Sequence, residues 1–339
     1  MSDPNLESLL QTVRDGSGLL HKRDIQRVQR QLLESPALDY PNGDDAAVIP
    51  NGEHFDLLAG EGFMDQFVAA DPWFAGWCGV LVNVSDIAAM GGRPVAVVNA
   101  LWGGADQQTE RLLQGMCAAS RAYGVPIVGG HTNLQCAELR LSVSILGRAQ
   151  RVLSSFCARP GQHLVMAVDL RGQYQPPFNN WNASTRAPAK RLRQDIELLP
   201  QIAESQLATA AKDISQAGLL GTCVMLLESS NVGAHIQLEL VPKPEAVSWQ
   251  QWLQTFPSFG FLLTCDDAHL STLLSLFAQR SIHAAAIGRI NDSGLCTVSW
   301  HQQSDLFWDL RATPLTGMRG NDMRSPDVTR GDQRGQHHA

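Results

Sequence analysis

The sequence predicts an α/β protein of two domains, and three observations carry that expectation. At 339 residues the chain is longer than one hydrophobic core ordinarily serves. Between Gly43 and Gln150, short apolar runs with strand character alternate with helical patterns. The pair Pro160-Gly161 then interrupts the pattern, and a second alternating series follows. The expected units are an N-terminal mobile segment or lid over 1–36, a first domain over 37–158, a second domain over 159–312 and a disordered tail over 313–339.

Residues 1–35 read as a glycine-interrupted lead, Asp15-Gly16-Ser17-Gly18, followed by a polar helix through Arg23–Leu33. In the first domain, 95–101 (VAVVNAL) and 125–128 (VPIV) have the composition of buried strands, and 139–146 (LRLSVSIL) alternates as a half-buried strand does. Trp77, Val80, Leu81, Val84, Ile87 and Ala88 fall on one stripe of a helix. Asn83 and Asp86 share a different side of it, so Asp86 is free to point off the core into a cleft. A second helix runs from Gln107 to Tyr123 and stops at Gly124.

In the second domain, strands are predicted at 163–169, 234–241, 259–265, 283–290 and 294–300. Helices are predicted at 187–211, 217–229, 248–255 and 266–280. Residues 171–186, rich in Pro and Asn and aperiodic, read as a long loop. From Gly317 the chain turns charged and Gly-rich, the composition of a disordered end. His337-His338 belong to that end and are not expected to bind metal.

Composition narrows the function. A net charge of −7, with acids spread along the chain, gives no basic face for nucleic acid. Seven scattered cysteines with no CxxC pair read as thiols of a reducing compartment rather than as disulfides or a zinc site. The N-terminus lacks the pattern of a signal peptide, and no apolar stretch reaches the ~20 residues of a membrane span. The expectation is a cytoplasmic protein without membrane partners.

Two segments carry the chemistry. Residues 43–49 read GDDAAVI, with Asp44 and Asp45 between a Pro-Asn-Gly turn and an apolar run; residues 82–92 read VNVSDIAAMGG, with Asp86 on a helix closed by Gly91-Gly92. Acids fixed in apolar surroundings are costly unless a cation sits among them. Mg²⁺, which favours a few carboxylates plus polyphosphate oxygens, is the natural one. Taken alone, Gly-Asp-Asp is also ordinary turn chemistry.

Together these strings resemble the superfamily of aminoimidazole ribonucleotide (AIR) synthase, thiamine-monophosphate kinase, selenophosphate synthetase and the hydrogenase-maturation dehydratase, ATP users without a P-loop. The resemblance is firm over 40–150 and looser over 160–300. It implies that Asp44, Asp45 and Asp86 hold Mg²⁺ against ATP phosphates, with Gly43 and Asn83 beside them. Residues 213–221, DISQAGLLG, resemble the segment where the kinase has two acids. Asp213 keeps the first as a metal ligand, or serves as the cap of the following helix; Gln216 replaces the second.

After the strand VPIV, Gly129-Gly130-His131-Thr132 resemble the family's nucleotide segment, where paired glycines let backbone amides approach phosphate. His131 is then a nucleotide contact or a structural histidine. Glu61 and Asp65, in LLAGEGFMDQF, resemble an acid pair of the kinase and line its site, or are loop acids. Lys22 follows the glycines as a catalytic lysine does in selenophosphate synthetase, or is a surface lysine. The absence of Cys before Cys78 argues against selenium chemistry. Phe259 stands where relatives have a glycine, which implies a different or blocked acceptor pocket.

The function expected from all this is ATP- and Mg²⁺-dependent phosphoryl transfer to a small metabolite, or its phosphate-activated ligation or cyclisation. The resemblance implies two α/β domains and a homodimer whose strands pair into a barrel, with ATP in a cleft lined by both chains. The alternative is a catalytically idle nucleotide- or partner-binding protein on the same fold.

Overall fold

The computed structural model describes residues 5–32, 40–104 and 106–320. Leu6, Leu9, Leu10 and Val13 recur at helical spacing, and all four are buried on one face of α1 (Leu6–Arg14). That face joins the core of the second domain, so the start of the expected lid is docked. Next come the short α2 (Ser17–Leu20) and α3 (Arg23–Leu32). Gly18 is required by packing: a Cβ there would lie 2.0 Å from the carbonyl oxygen of Gln216.

The first domain follows the order β1 (Ala47–Asn51), β2 (His54–Gly62), α4 (Asp65–Ala70), α5 (Pro72–Ala89), β3 (Arg93–Trp102), α6 (Asp106–Tyr123), β4 (Ile127–Asn133) and β5 (Arg140–Ala149). Its sheet runs β1-β2-β5-β3-β4, with only β3 and β4 parallel. Helix α5 packs on one face, and α6 packs on α5. Gly76 and Gly115 allow their backbones to touch, since a Cβ at either would lie 2.0 Å or 1.9 Å from a carbonyl oxygen across the contact. Asp71 caps α5, accepting from the Phe74 N–H. Helix α5 is buried on every side rather than along one stripe, because β9 packs against it as well as the sheet and α6.

The other face of this sheet is open. Leu58 pairs with Leu146, which also faces Ala96 on β3, and Leu58, Leu146 and Val98 are all exposed. The strand read at 125–128 as buried is β4, at the sheet edge, with Val128 64 % exposed.

The second domain continues with β6 (His163–Val168), β7 (Gln173–Gln175), β8 (Asn180–Asn182), α7 (Ala189–Ile196), α8 (Leu198–Glu204), β9 (Ala210–Asp213), α9 (Gly218–Ser230) and β10 (Gly233–Gln237). It ends with α10 (Trp249–Trp252), β11 (Phe256–Pro257), β12 (Gly260–Cys265), α11 (Asp267–Gln279), β13 (His283–Asn291), β14 (Leu295–Trp300) and β15 (Gln303–Asp309). Seven strands make its sheet in the order β15-β14-β10-β13-β6-β12-β9.

Three expectations change here. The loop read over 171–186 contains β7 and β8; β8 pairs with β7 on one side and β11 on the other to make a small third sheet. The helix read over 187–211 is two helices and then β9, because pairing with β12 overrides the helix propensity of Ala210 and Ala211. The tail read as disordered from 313 is built in as far as Gly320. Buried Glu228 accepts from the N–H groups of Leu315, Thr316 and Gly317 at 3.0, 2.7 and 3.1 Å. Residues 321–339, with His337 and His338, lie outside the described residues. All seven cysteines are free; four are buried, and Cys117 and Cys136 are exposed.

Candidate functional site

A cavity of about 640 Å³ opens between the two domains and the N-terminal helices. Each domain delivers acids to it by a short, fixed route. The turn before β1 brings Asp44 and Asp45, the end of β2 brings Glu61, the last turn of α5 brings Asp86, and the end of β9 brings Asp213. Five carboxyl groups thus face two ammonium groups, Lys22 and Lys212, and the lining contains no arginine among the described residues.

The carboxylates differ in how they are held. Asp44 accepts from the Ser154 hydroxyl at 2.6 Å and the Ser155 N–H at 3.0 Å. Asp45 accepts from the Asp213 N–H at 3.1 Å through one oxygen and forms an ion pair with the buried Lys212 ammonium through the other. Asp86 is only 5 % exposed, and its Oδ2 has no hydrogen-bond partner. An unpartnered buried carboxylate oxygen is expensive, and in a cavity it marks a place for a ligand.

Burial and charge crowding act on four of the five acids. Burial, then the nearby charges of Asp213, Glu61 and Asp45, holds the Asp86 carboxyl well above the usual carboxylate range. Asp213 is pushed up to about 8, first by burial and then by Asp45. Asp44 and Glu61 are also raised, chiefly by burial. Burial works to lower Lys212, but the charges of Asp45 and Asp44 outweigh it and keep the ammonium protonated. Asp44, Glu61, Asp86 and Asp213 are therefore biased toward their neutral form.

The rest of the lining is apolar and amide. Phe63 and Met64 enter from the β2–α4 turn and Phe67 from α4, and Phe178 packs edge-on to Phe67 with ring centroids 4.9 Å apart. Gln216 faces the cavity, its amide against the Met64 sulfur at 3.7 Å. Thr316 and Met318 complete the wall, held there by Glu228.

Of the residues singled out in the sequence, Lys22, Gly43, Asp44, Asp45, Glu61, Asp86 and Asp213 meet at this cavity. Asp213 ends β9 and does not cap α9, whose N-cap is Ala217. Within one chain, Gly129, Gly130, His131 and Thr132 stand away from it on exposed β4, with His131 6.5 Å from the Trp102 ring. Asp65 opens α4 and pairs with Arg140 at 3.3 Å, outside the lining. Asn83 is buried in α5, donating to the Gly79 carbonyl at 2.9 Å. Phe259 does not reach this cavity; it packs edge-on to Phe261 in the core. Sequence reasoning missed Lys212, whose one signal is a lone cation inside the small apolar run Ala210-Ala211-Lys212-Asp213.

Hard oxygen donors of this kind suit Mg²⁺, and the free oxygen of Asp86 gives it a place. The side chains do not form a closed cage: among the described residues no three of His, Cys, Asp or Glu converge as a ready metal site.

Comparison with known proteins places this architecture. Residues 43–149 match the family model for the AIR synthase related protein N-terminal domain, and 168–301 match that for the C-terminal domain. The chain belongs to the AIR synthase related family. It is 42 % identical over 323 residues to the uncharacterized protein sll0787 of Synechocystis, covering 93 % of this chain and 99 % of that one. It is 31 % identical over 246 residues to thiamine-monophosphate kinase of Pyrococcus horikoshii, covering 67 % and 75 %. In fold it is similar to Thermotoga maritima PurL complexed with ADP, with a TM-score of 0.71 and 18 % identity; the match covers 94 % of this chain and 53 % of PurL, so this chain spans about half of that protein. Among the described residues no helix is long and apolar enough to cross a membrane.

Proposed function

We propose that the chain is an ATP- and Mg²⁺-dependent enzyme that transfers the terminal phosphoryl group to an oxygen of a small metabolite, with or without a following ligation or cyclisation. One observation carries this reading: five carboxyl groups against two ammonium groups in a single cavity, with a buried oxygen of Asp86 unpartnered. With two ammonium groups and no arginine in the lining among the described residues, divalent cations would supply the positive charge a polyphosphate needs. The matches to a thiamine-monophosphate kinase and to an ADP-bound PurL support nucleotide as the ligand.

Asp86 and Asp213 would hold Mg²⁺, which when bound would neutralise phosphate oxygens. Lys22 reaches the same space from the α2–α3 junction and serves as the cation that orients the phosphates. The aromatic wall of Phe63, Phe67 and Phe178 excludes water from the acceptor. Positioning and electrostatics would supply most of the rate.

The reading includes a homodimer through the open face of the first sheet, where Leu58, Leu146 and Val98 are exposed. In it, the Gly129–Thr132 segment of β4 contributes to a cleft shared between chains. Gln216, in place of a second acid, favours the alternative of an idle nucleotide-binding protein. The two separate in one assay: incubation with Mg²⁺, ATP and a metabolite pool, followed by mass spectrometry. A metabolite that gains a phosphoryl group, or a dehydrated or ligated product with ADP formed, supports the enzyme. Nucleotide binding with no turnover supports the alternative.

A further inference from the structure

Asp44 and Asp45 stand adjacent in the sequence, and both line the cavity. Two neighbouring buried carboxylates repel each other unless a cation lies beside them. The chain supplies one itself. Lys212, on β9 with small Ala210 and Ala211 before it, turns its ammonium to the cavity and pairs with Asp45, with both side chains almost wholly buried (8 % and 5 % exposed). The second oxygen of Asp45 is taken by the Asp213 N–H. Asp86, on α5, keeps a buried oxygen with no hydrogen-bond partner. The acids therefore divide into a satisfied pair, Asp44 and Asp45, and an unsatisfied one centred on Asp86.

We propose that Lys212 is a built-in cation that fills the position a divalent ion would otherwise take at Asp45, so that Asp45 is the counter-ion of Lys212 and divalent cations bind on the Asp86–Asp213 side. This deepens the phosphoryl-transfer reading by assigning which acids hold metal. The ammonium carries one charge fewer than Mg²⁺ but cannot be lost by chelation. It also joins the domains, since Asp45 precedes β1 and Lys212 belongs to β9.

The test counts Mn²⁺ bound per chain, by the electron paramagnetic resonance of the free ion, with and without the ATP analogue AMPPCP. Three proteins are compared: the natural chain, Lys212→Met, and the double variant Lys212→Met/Asp45→Asn, in which the buried pair is removed as a unit. Lys212→Met should bind one further Mn²⁺ per chain. In the absence of metal it should melt below the natural chain, and Mn²⁺ should raise its Tm more than that of the natural chain. The double variant should return to the natural count. The proposal is overturned by an unchanged count in Lys212→Met, by an extra ion that persists in the double variant, or by a single variant that Mn²⁺ cannot restore while the double variant folds. Failure of the natural chain to bind AMPPCP would remove the nucleotide reading alone, since the contrast in Mn²⁺ count stands without nucleotide.

Discussion

The main-chain N–H of Asp213 donates to Oδ2 of Asp45 over 3.1 Å, joining residues 168 apart in sequence. That bond ties the turn before β1 to the end of β9, and so the first domain to the second. The acidic cavity exists only when the domains are seated on each other, because Asp44, Asp45, Glu61 and Asp86 come from one and Lys212 and Asp213 from the other.

Asp86→Ala should leave the fold intact. The wild-type carboxyl is buried with an oxygen that bonds to nothing, so its removal relieves a desolvated group. Melting without metal should show no loss of stability, whereas affinity for Mg²⁺-ATP should fall by more than ~10-fold, the loss typical even of groups that only support a metal ligand. Unchanged nucleotide affinity would take Asp86 out of the site.

Binding of Mg²⁺ should strengthen with pH. Asp213 is pushed up to about 8 by burial and then by Asp45, and Asp86 is held well above the usual carboxylate range by burial and its acidic neighbours. An acid whose folded pKa lies above its unfolded value takes up a proton on folding. Its contribution to stability is greatest below the unfolded value, ~4, and is lost as pH rises through the folded value. Metal must displace that proton. The rise in Tm produced by Mg²⁺ should therefore be larger at pH ~8 than at pH ~6. An equal rise at both would contradict the placement of metal among these acids.

Glu228→Gln should loosen one wall of the cavity. Glu228 is 1 % exposed and receives the N–H groups of Leu315, Thr316 and Gly317 and the Thr316 hydroxyl. An amide supplies one acceptor where the carboxylate supplies two, so ~1–3 kcal/mol of stability should be lost. Hydrogen exchange should speed up at 315–318, where Thr316 and Met318 face the site.

The open sheet face yields a test of assembly. Leu58→Glu and Leu146→Glu place charge on directly paired positions of β2 and β5 without touching the buried face. Light scattering at micromolar concentration should show a dimer for the natural chain and a monomer for either variant, with melting nearly unchanged. A natural chain that is monomeric would remove the shared cleft.

Much of this arrangement was legible in the residues. Asp86 within NVSDIAAMGG announced itself by placing an acid in an apolar helix, and alternation over 139–146 gave β5. The pairing of Lys212 with Asp45 was not legible, because it spans 167 residues and depends on how two domains meet. β9 was hidden because Ala210 and Ala211 favour helix until β12 offers a partner. The ordered segment at 315–318 was hidden because its hydrogen bonds go to one buried glutamate rather than to a repeating ladder. Gly129–Thr132 fitted a nucleotide segment by sequence, yet lie on an exposed edge that a single chain does not bring to the cavity.

The central claim is that nucleotide enters this acidic cavity only with a divalent cation. Calorimetric titration of ATP into the protein, once with Mg²⁺ and once with EDTA, tests it directly. The account predicts saturable binding with Mg²⁺ that disappears in EDTA and is also lost in Asp86→Ala. Binding of ATP with equal affinity in EDTA, or its absence under both conditions, would contradict it.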